Sequence, residues 1–169
     1  MGKGLPYSLG RGKSAKIYKE TIKLRAFPID LSATGSAIGF GTAVIGDFPE
    51  GNVLILGTVA NLQVTNVDTD ATTTFVAGFA LGTAPTADLT LSGAEVNLVA
   101  ETSFGAATAR VSPTVRGALG TPFMVDNTDG SLEINLNMTI TAATITDDAT
   151  ASMTVTGEVY MAYLLLGDD

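Results

Sequence analysis

From Leu132 to Ile140 the chain alternates without a break: Leu132, Ile134, Leu136, Met138 and Ile140 have one parity, and Glu133, Asn135, Asn137 and Thr139 the other. Successive side chains of an extended strand point to opposite sides, so this pattern requires a strand with an apolar face and a polar face. The expectation is that one face is core and the other is wet. Met153, Val155, Val159 and Met161 set against Thr154, Thr156 and Glu158 repeat the pattern near the end of the chain. Such alternation belongs to antiparallel sheets solvated on one side, whereas parallel sheets show continuous apolar runs and need helices between their strands.

From Ile22 onward, short apolar runs are broken by Gly, Pro, Asp and Asn, which punctuate strands with turns. The runs predict strands near 22–31, 37–46, 52–66, 72–82, 108–116, 122–126, 131–141 and 150–166. Helical candidates are two and short. Ser14 to Leu24 has Ser14 as a cap and Ile17, Thr21 and Leu24 on one face, and Ala94 to Glu101 is the one candidate in the body. The apolar residues are mostly Ala, Val, Leu and Ile diluted by Thr and Gly, with no Trp, a mixture that suits pleated, half-buried strands. The expected fold is therefore all-β: an antiparallel β-sandwich, a jelly roll before a closed barrel, over residues 26–169, preceded by an extended N-terminal arm over residues 1–25.

The arm is defined by charge. Seven of the nine basic residues, Lys3, Arg11, Lys13, Lys16, Lys19, Lys23 and Arg25, fall in the first 25, against one acid, Glu20. The remainder holds Arg110, Arg116 and sixteen acids. A cationic head on an anionic body predicts docking by the head onto an acidic protein surface, with those seven residues as the contact set. Nucleic acid is a poorer partner, because the body would repel a polyanion and only Tyr7 and Tyr18 offer stacking there. The first residues lack the apolar core of a secretory signal, and no run approaches the ~18 apolar residues of a membrane span, the densest being Tyr160 to Leu166. No membrane partner is expected.

With no Cys and no His, thiolate chemistry, disulfides and the commonest general base and metal ligand are absent from the chain. Gly12-Lys13-Ser14 fails as a phosphate loop, since Tyr7 stands where the first glycine belongs. Gly35, Gly39, Gly41 and Gly46 lack the dinucleotide-binding spacing and predict bulges or close backbone approaches within a sheet. Carboxylates cluster at Asp68/Asp70, Asp126/Asp129/Glu133 and Asp147/Asp148 without the spacing of a calcium loop. Asp129-Gly130 between apolar runs predicts a type I′ hairpin turn, with a structural calcium near Asp126 and Asp129 as the alternative. Paired acids for glycoside hydrolysis would want sugar-stacking aromatics, and Phe75 and Phe79 lie in phase with the core instead. No catalytic residue, cofactor or metal is expected.

Four stretches carry a family resemblance: Phe79-Ala-Leu-Gly-Thr-Ala84; Leu91-Ser-Gly-Ala-Glu-Val-Asn-Leu98; Asp126-Asn-Thr-Asp-Gly130 before a Leu-x-Ile-Asn-Leu-Asn strand; and Met153-Thr-Val-Thr-Gly-Glu-Val-Tyr160 with Leu166-Gly-Asp168. Over residues 75–169 the chain resembles capsid cement, or decoration, proteins of the jelly-roll type from tailed bacteriophages, through loose strand-and-turn patterns without a catalytic signature. The resemblance implies a non-enzymatic virion protein on the outer capsid surface, made in the host bacterial cytoplasm. Its implied partners are the major capsid protein of the phage head and further copies of itself, as dimer or trimer. Rival expectations are a tail or fibre subunit, a carbohydrate-binding module using tyrosines such as Tyr160 or Tyr163, and an acid-pair hydrolase.

Overall fold

Ile22 and Leu24 are apolar at even positions, and Phe27, Ile29 and Leu31 at odd ones, so a strand that buries all five must slip by one residue between them. The computed structural model describes residues 16–33, 38–67, 74–142 and 150–167, and it shows that slip. Strand β1 (Ile17–Ala33) bulges between Leu24 and Phe27, where Ala26 takes a positive φ of 47° and donates its N–H to Thr156 Oγ1. The bulge keeps Leu24, Ile29 and Leu31 on the buried side.

Eight further strands follow among the described residues: β2 (Gly39–Asp47), β3 (Gly51–Asn66), β4 (Val76–Gly82), β5 (Val99–Ala106), β6 (Val115–Ala118), β7 (Phe123–Asn127), β8 (Glu133–Ala142) and β9 (Thr150–Gly167). All pair antiparallel, in the order β5-β4-β8-β2-β1-β9-β3-β6, with β7 also on the outer edge of β3. Among the described residues β1 bonds to β2 only at Ser32 and Ala33, while it pairs with β9 along its length. The sheet therefore folds at that corner into two layers, β5-β4-β8-β2 over β1-β9-β3 with β6 and β7. At the opposite corner β6 closes against β5: a Cβ on Gly117 would lie 2.5 Å from Val99 Cγ1. The result is an all-β, sandwich-like fold approaching a closed barrel.

Between the layers lie Ile29, Leu31, Ile55, Leu62, Phe79, Leu81, Phe104, Ile134, Leu136, Met138, Ile140 and Val155, all buried. Burying each large aliphatic side chain is worth roughly 1.5–3 kcal/mol, which makes this interior the main source of stability. The glycines of β2 behave as the spacing predicts. Gly41 sits where a Cβ would meet the Asp30 carbonyl, and the register slips between Val44 and Gly46; Gly35 lies outside the described residues.

Several expectations change. Ser14 to Leu24 does not form a helix in its described part, because from Ile17 the chain is in β1. The arm boundary expected at residue 25 is overtaken by the sheet, since Lys19, Lys23 and Arg25 belong to a strand paired with β9. Ala94 to Glu101 splits into a single 3-10 turn at Gly93–Glu95 and the start of β5, a strand absent from the sequence reading. The strand expected over 108–116 shrinks to β6, with Ala109 and Arg110 at positive φ in the turn before it. Asp129-Gly130 is not a type I′ hairpin: β7 pairs with β3 while β8 pairs with β2 and β4, and only Gly130 of the turn has positive φ.

The largest correction concerns the polar face of β8. Asn135 is 2% exposed and Asn137 and Thr139 are 0% exposed, so the face expected to be wet is covered beyond Glu133, which is exposed. Residues 83–98 fold over it. Asn137 holds them: its Oδ1 accepts from Thr86 N at 2.9 Å, and its Nδ2 donates to the carbonyls of Ala84 and Glu95, both at 2.9 Å. Asn127 does the same at the other end, donating to the carbonyls of Phe48 and Pro49 and accepting from Leu132 N. Buried side-chain amides satisfy loop backbone groups that would otherwise lose water without compensation.

Candidate interaction face

Directly paired residues on neighbouring strands point to the same side of a sheet, so the register of β1, β9, β3, β6 and β7 defines the outward face of the second layer row by row. The first row is Ile17, Leu164, Leu54 and Met124, apolar across four strands. Ile17 is 55% and Met124 60% exposed, although such side chains are ordinarily drawn from water. Next come Lys19, Ala162 and Gly57, then Thr21, Tyr160, Val59 and Ala118, and then Lys23, Glu158, Asn61 and Arg116. The face therefore grades from apolar at one end to charged at the other.

The second row makes a hollow. A Cβ on Gly57 would meet nothing within 4 Å. Around it Lys19, Thr21, Val59, Tyr160 and Ala162 bound a shallow depression of about 380 Å³. Tyr160, 42% exposed, forms a wall of it and donates its hydroxyl to Glu158 Oε2. Glu158 Oε1 also lies 3.7 Å from Lys23 Nζ. The hydrogen bond to Glu158 pushes the Tyr160 phenol above its ordinary pKa. Beside the bulge, Lys23, Arg25, Thr156 and Glu158 border a second depression of about 240 Å³.

Of the seven basic residues expected to form one contact set, Lys19 and Lys23 share this face, Arg25 stands at the bulge beside it, and all three are exposed. Lys16 lies 5.0 Å from the Tyr18 ring, which stacks on Tyr163 at 5.5 Å. Lys3, Arg11 and Lys13 lie outside the described residues, as do Gly12-Lys13-Ser14 and the pairs Asp68/Asp70 and Asp147/Asp148. Arg116, Val59 and Met124 join the face through pairings that no local pattern announces. Tyr163 is 9% exposed and cannot serve as a stacking platform; burial raises its pKa.

The carboxylates of the 126–130 turn are occupied by the turn itself. Asp126 Oδ1 accepts from the N–H and hydroxyl of Thr128, and Asp129 Oδ1 from those of Ser131. These bonds hold both carboxyls below the ordinary range. Among the described residues no three His, Cys, Asp or Glu side chains are placed to hold a metal ion, and no helix is long and apolar enough to cross a membrane.

Fold and face together define an all-β protein that displays one exposed, mixed apolar and basic sheet surface. No protein-family model matches the sequence, and no curated protein matches it. Among solved structures the chain is similar to a chain of infectious bursal disease virus, Gt strain, at 11% identity and a TM-score of 0.35, over 96% of this chain and 35% of that one. A chain of the Gx strain is similar at 10% identity and a TM-score of 0.34, over 87% and 33%. The VP2 subviral particle of the same virus is similar at 9% identity and a TM-score of 0.30, over 89% and 33%. The chain spans about a third of the length of these structures.

Proposed function

We propose that the chain is a structural virion protein, a capsid cement or decoration protein that binds the outer surface of a tailed-phage head and stabilises contacts between capsomers. The observation that carries the reading is the placement of Lys19 and Lys23 on the same outward face of β1 with Thr21 between them, Arg25 at the bulge beside them and Lys16 just before the strand. Lys3, Arg11 and Lys13 precede that strand in sequence, and all but two of the remaining charged residues are acidic. A basic strip on an acidic body suits an acidic protein surface and repels nucleic acid. The resemblance of residues 75–169 to cement proteins supports the same reading. On a capsid lattice, many such contacts act together, so each one need not be tight.

The test is binding to heads that lack this protein, with bound copies counted by gel densitometry. The full chain saturates the heads at a fixed number of copies per capsomer. The deletion should remove residues 1–15 and stop there, because residues 17–25 are part of the sheet. It and the Lys16→Glu/Lys19→Glu variant each lose at least ~10-fold in affinity, the scale of one or two interfacial charge contacts. Undiminished binding by both refutes the basic strip as the contact. Glycan-array binding abolished by Tyr160→Ala, with no binding to heads, would replace this reading with the carbohydrate-binding one.

A further inference from the structure

We propose that the outward face of β1-β9-β3 with β6 and β7 is an interface between two copies of the chain, related by a two-fold axis along the row of Lys19, Ala162 and Gly57. The inference goes beyond capsid binding and does not depend on it.

Self-complementarity selects a second copy as the occupant. Rotation about that axis keeps each strand opposite its own counterpart and inverts the order of the rows. The apolar row Ile17, Leu164, Leu54 and Met124 then faces Thr21, Tyr160, Val59 and Ala118 of the other copy. Tyr160 meets Leu164, Val59 meets Leu54, and Ala118 meets Met124, while the Gly57 hollow gives the two backbones room to approach. One row beyond Met124 lies Asp126, paired with Asn52; one row beyond Ala118 lies Arg116, paired with Asn61. The same rotation sets Asp126 of each copy against Arg116 of the other. Asp126 is ionised at neutral pH, since Thr128 holds its carboxyl below the usual range. The two Lys19 side chains meet at the perimeter, where their stems can turn to solvent.

The area is sufficient. Four strands at ~4.8 Å spacing span ~19 Å, and eight residues at ~3.3 Å rise span ~27 Å, so roughly 500 Å² per copy and ~1,000 Å² in total are covered. That is the lower bound of specific interfaces, and it fits a dimer that forms at micromolar concentration. An exposed apolar row of this length on an isolated subunit is otherwise unexplained. The arrangement also brings the basic strips of both β1 strands to the same side of the dimer.

The absence of Cys from the chain makes a clean test. Arg116→Cys/Asp126→Cys is purified reduced and treated with a short bis-maleimide, whose linker bridges the ~10 Å between facing sheets. Within one copy the two positions pair with residues 61 and 52 of β3. They are about 30 Å apart, beyond the reach of that linker and of a disulfide. Any cross-link joining them is therefore between copies. The expected result is a covalent dimer of the double variant, with peptide mapping placing residue 116 on residue 126, and little of it for either single variant. Sedimentation velocity of the unmodified chain from about 5 to about 200 μM should move from the 17.3 kDa monomer toward twice that mass. Met124→Glu, at an exposed position, should weaken the association at least ~10-fold, with an unchanged thermal melt at concentrations low enough that both proteins are monomeric. A monomer throughout that range overturns the proposal, as does a trimer. A dimer with no 116–126 cross-link, or one indifferent to Met124→Glu, overturns this face as its interface.

Discussion

Asn137 and Thr139 are neighbours on one face of β8, equally buried, and their replacements should have opposite signs. Asn137→Ala removes three hydrogen bonds and strands the Thr86 N–H and the Ala84 and Glu95 carbonyls beneath residues 83–98. At about 1 kcal/mol net per bond, with more for each group left unpaired, the loss is about 3–5 kcal/mol. With m near 2 kcal/mol/M, the urea midpoint should fall by about 2 M. Thr139 Oγ1, in contrast, is buried with no hydrogen-bond partner. Thr139→Val replaces a desolvated hydroxyl by a methyl of equal size, so it should be neutral or stabilising by up to about 1 kcal/mol. Equilibrium urea unfolding followed by near-ultraviolet circular dichroism reads both, and hydrogen exchange at Thr86 should accelerate in Asn137→Ala alone. If Asn137→Ala costs less than about 1 kcal/mol, or Thr139→Val more than that, the account of the covered face is wrong.

Two further perturbations follow from single positions. Gly157 has φ of 150°, and a Cβ there would lie 2.0 Å from the Asn61 carbonyl oxygen, so Gly157→Ala should push β3 from β9 and cost at least about 3 kcal/mol in urea unfolding; a loss under about 1 kcal/mol would contradict that packing. Asp126 and Asp129 have folded pKa values below the ordinary value, so their stabilisation is present above about pH 4, where the unfolded carboxyls ionise, and is lost as pH falls through the lower folded values. Asp126→Asn/Asp129→Asn should flatten the stability profile below about pH 4, and an unaltered acid limb would count against the turn bonds.

What could be read from the residues was local. The even-to-odd shift between Leu24 and Phe27 announces the β1 bulge, and the alternation of Met153 to Met161 announces β9, because both report the period of one strand against one apolar side. β5 escaped because Val99 to Ala106 buries only Val99 and Phe104 fully, and its partner β4 supplies the rest of the signal. The part of β1 before residue 22 was legible as basic and not as a strand, since its pairing partner lies more than 130 residues away in β9. Of the candidate face, the lysines were visible in the sequence. The apolar row was not, because its four members come from four separate strands.

The order of apolar and polar residues alone determined that this chain forms antiparallel strands and which side of most of them turns inward, since side-chain alternation is a property of each strand by itself. Only the tertiary structure decided that Asn135, Asn137 and Thr139 on the polar side of β8 would be covered, that Lys19 would sit in a sheet, and that Ile17, Leu164, Leu54 and Met124 would line up. Each of those outcomes depends on which distant backbone completes a strand's hydrogen bonds, and the pairing is chosen by the burial of the whole chain rather than by any one segment.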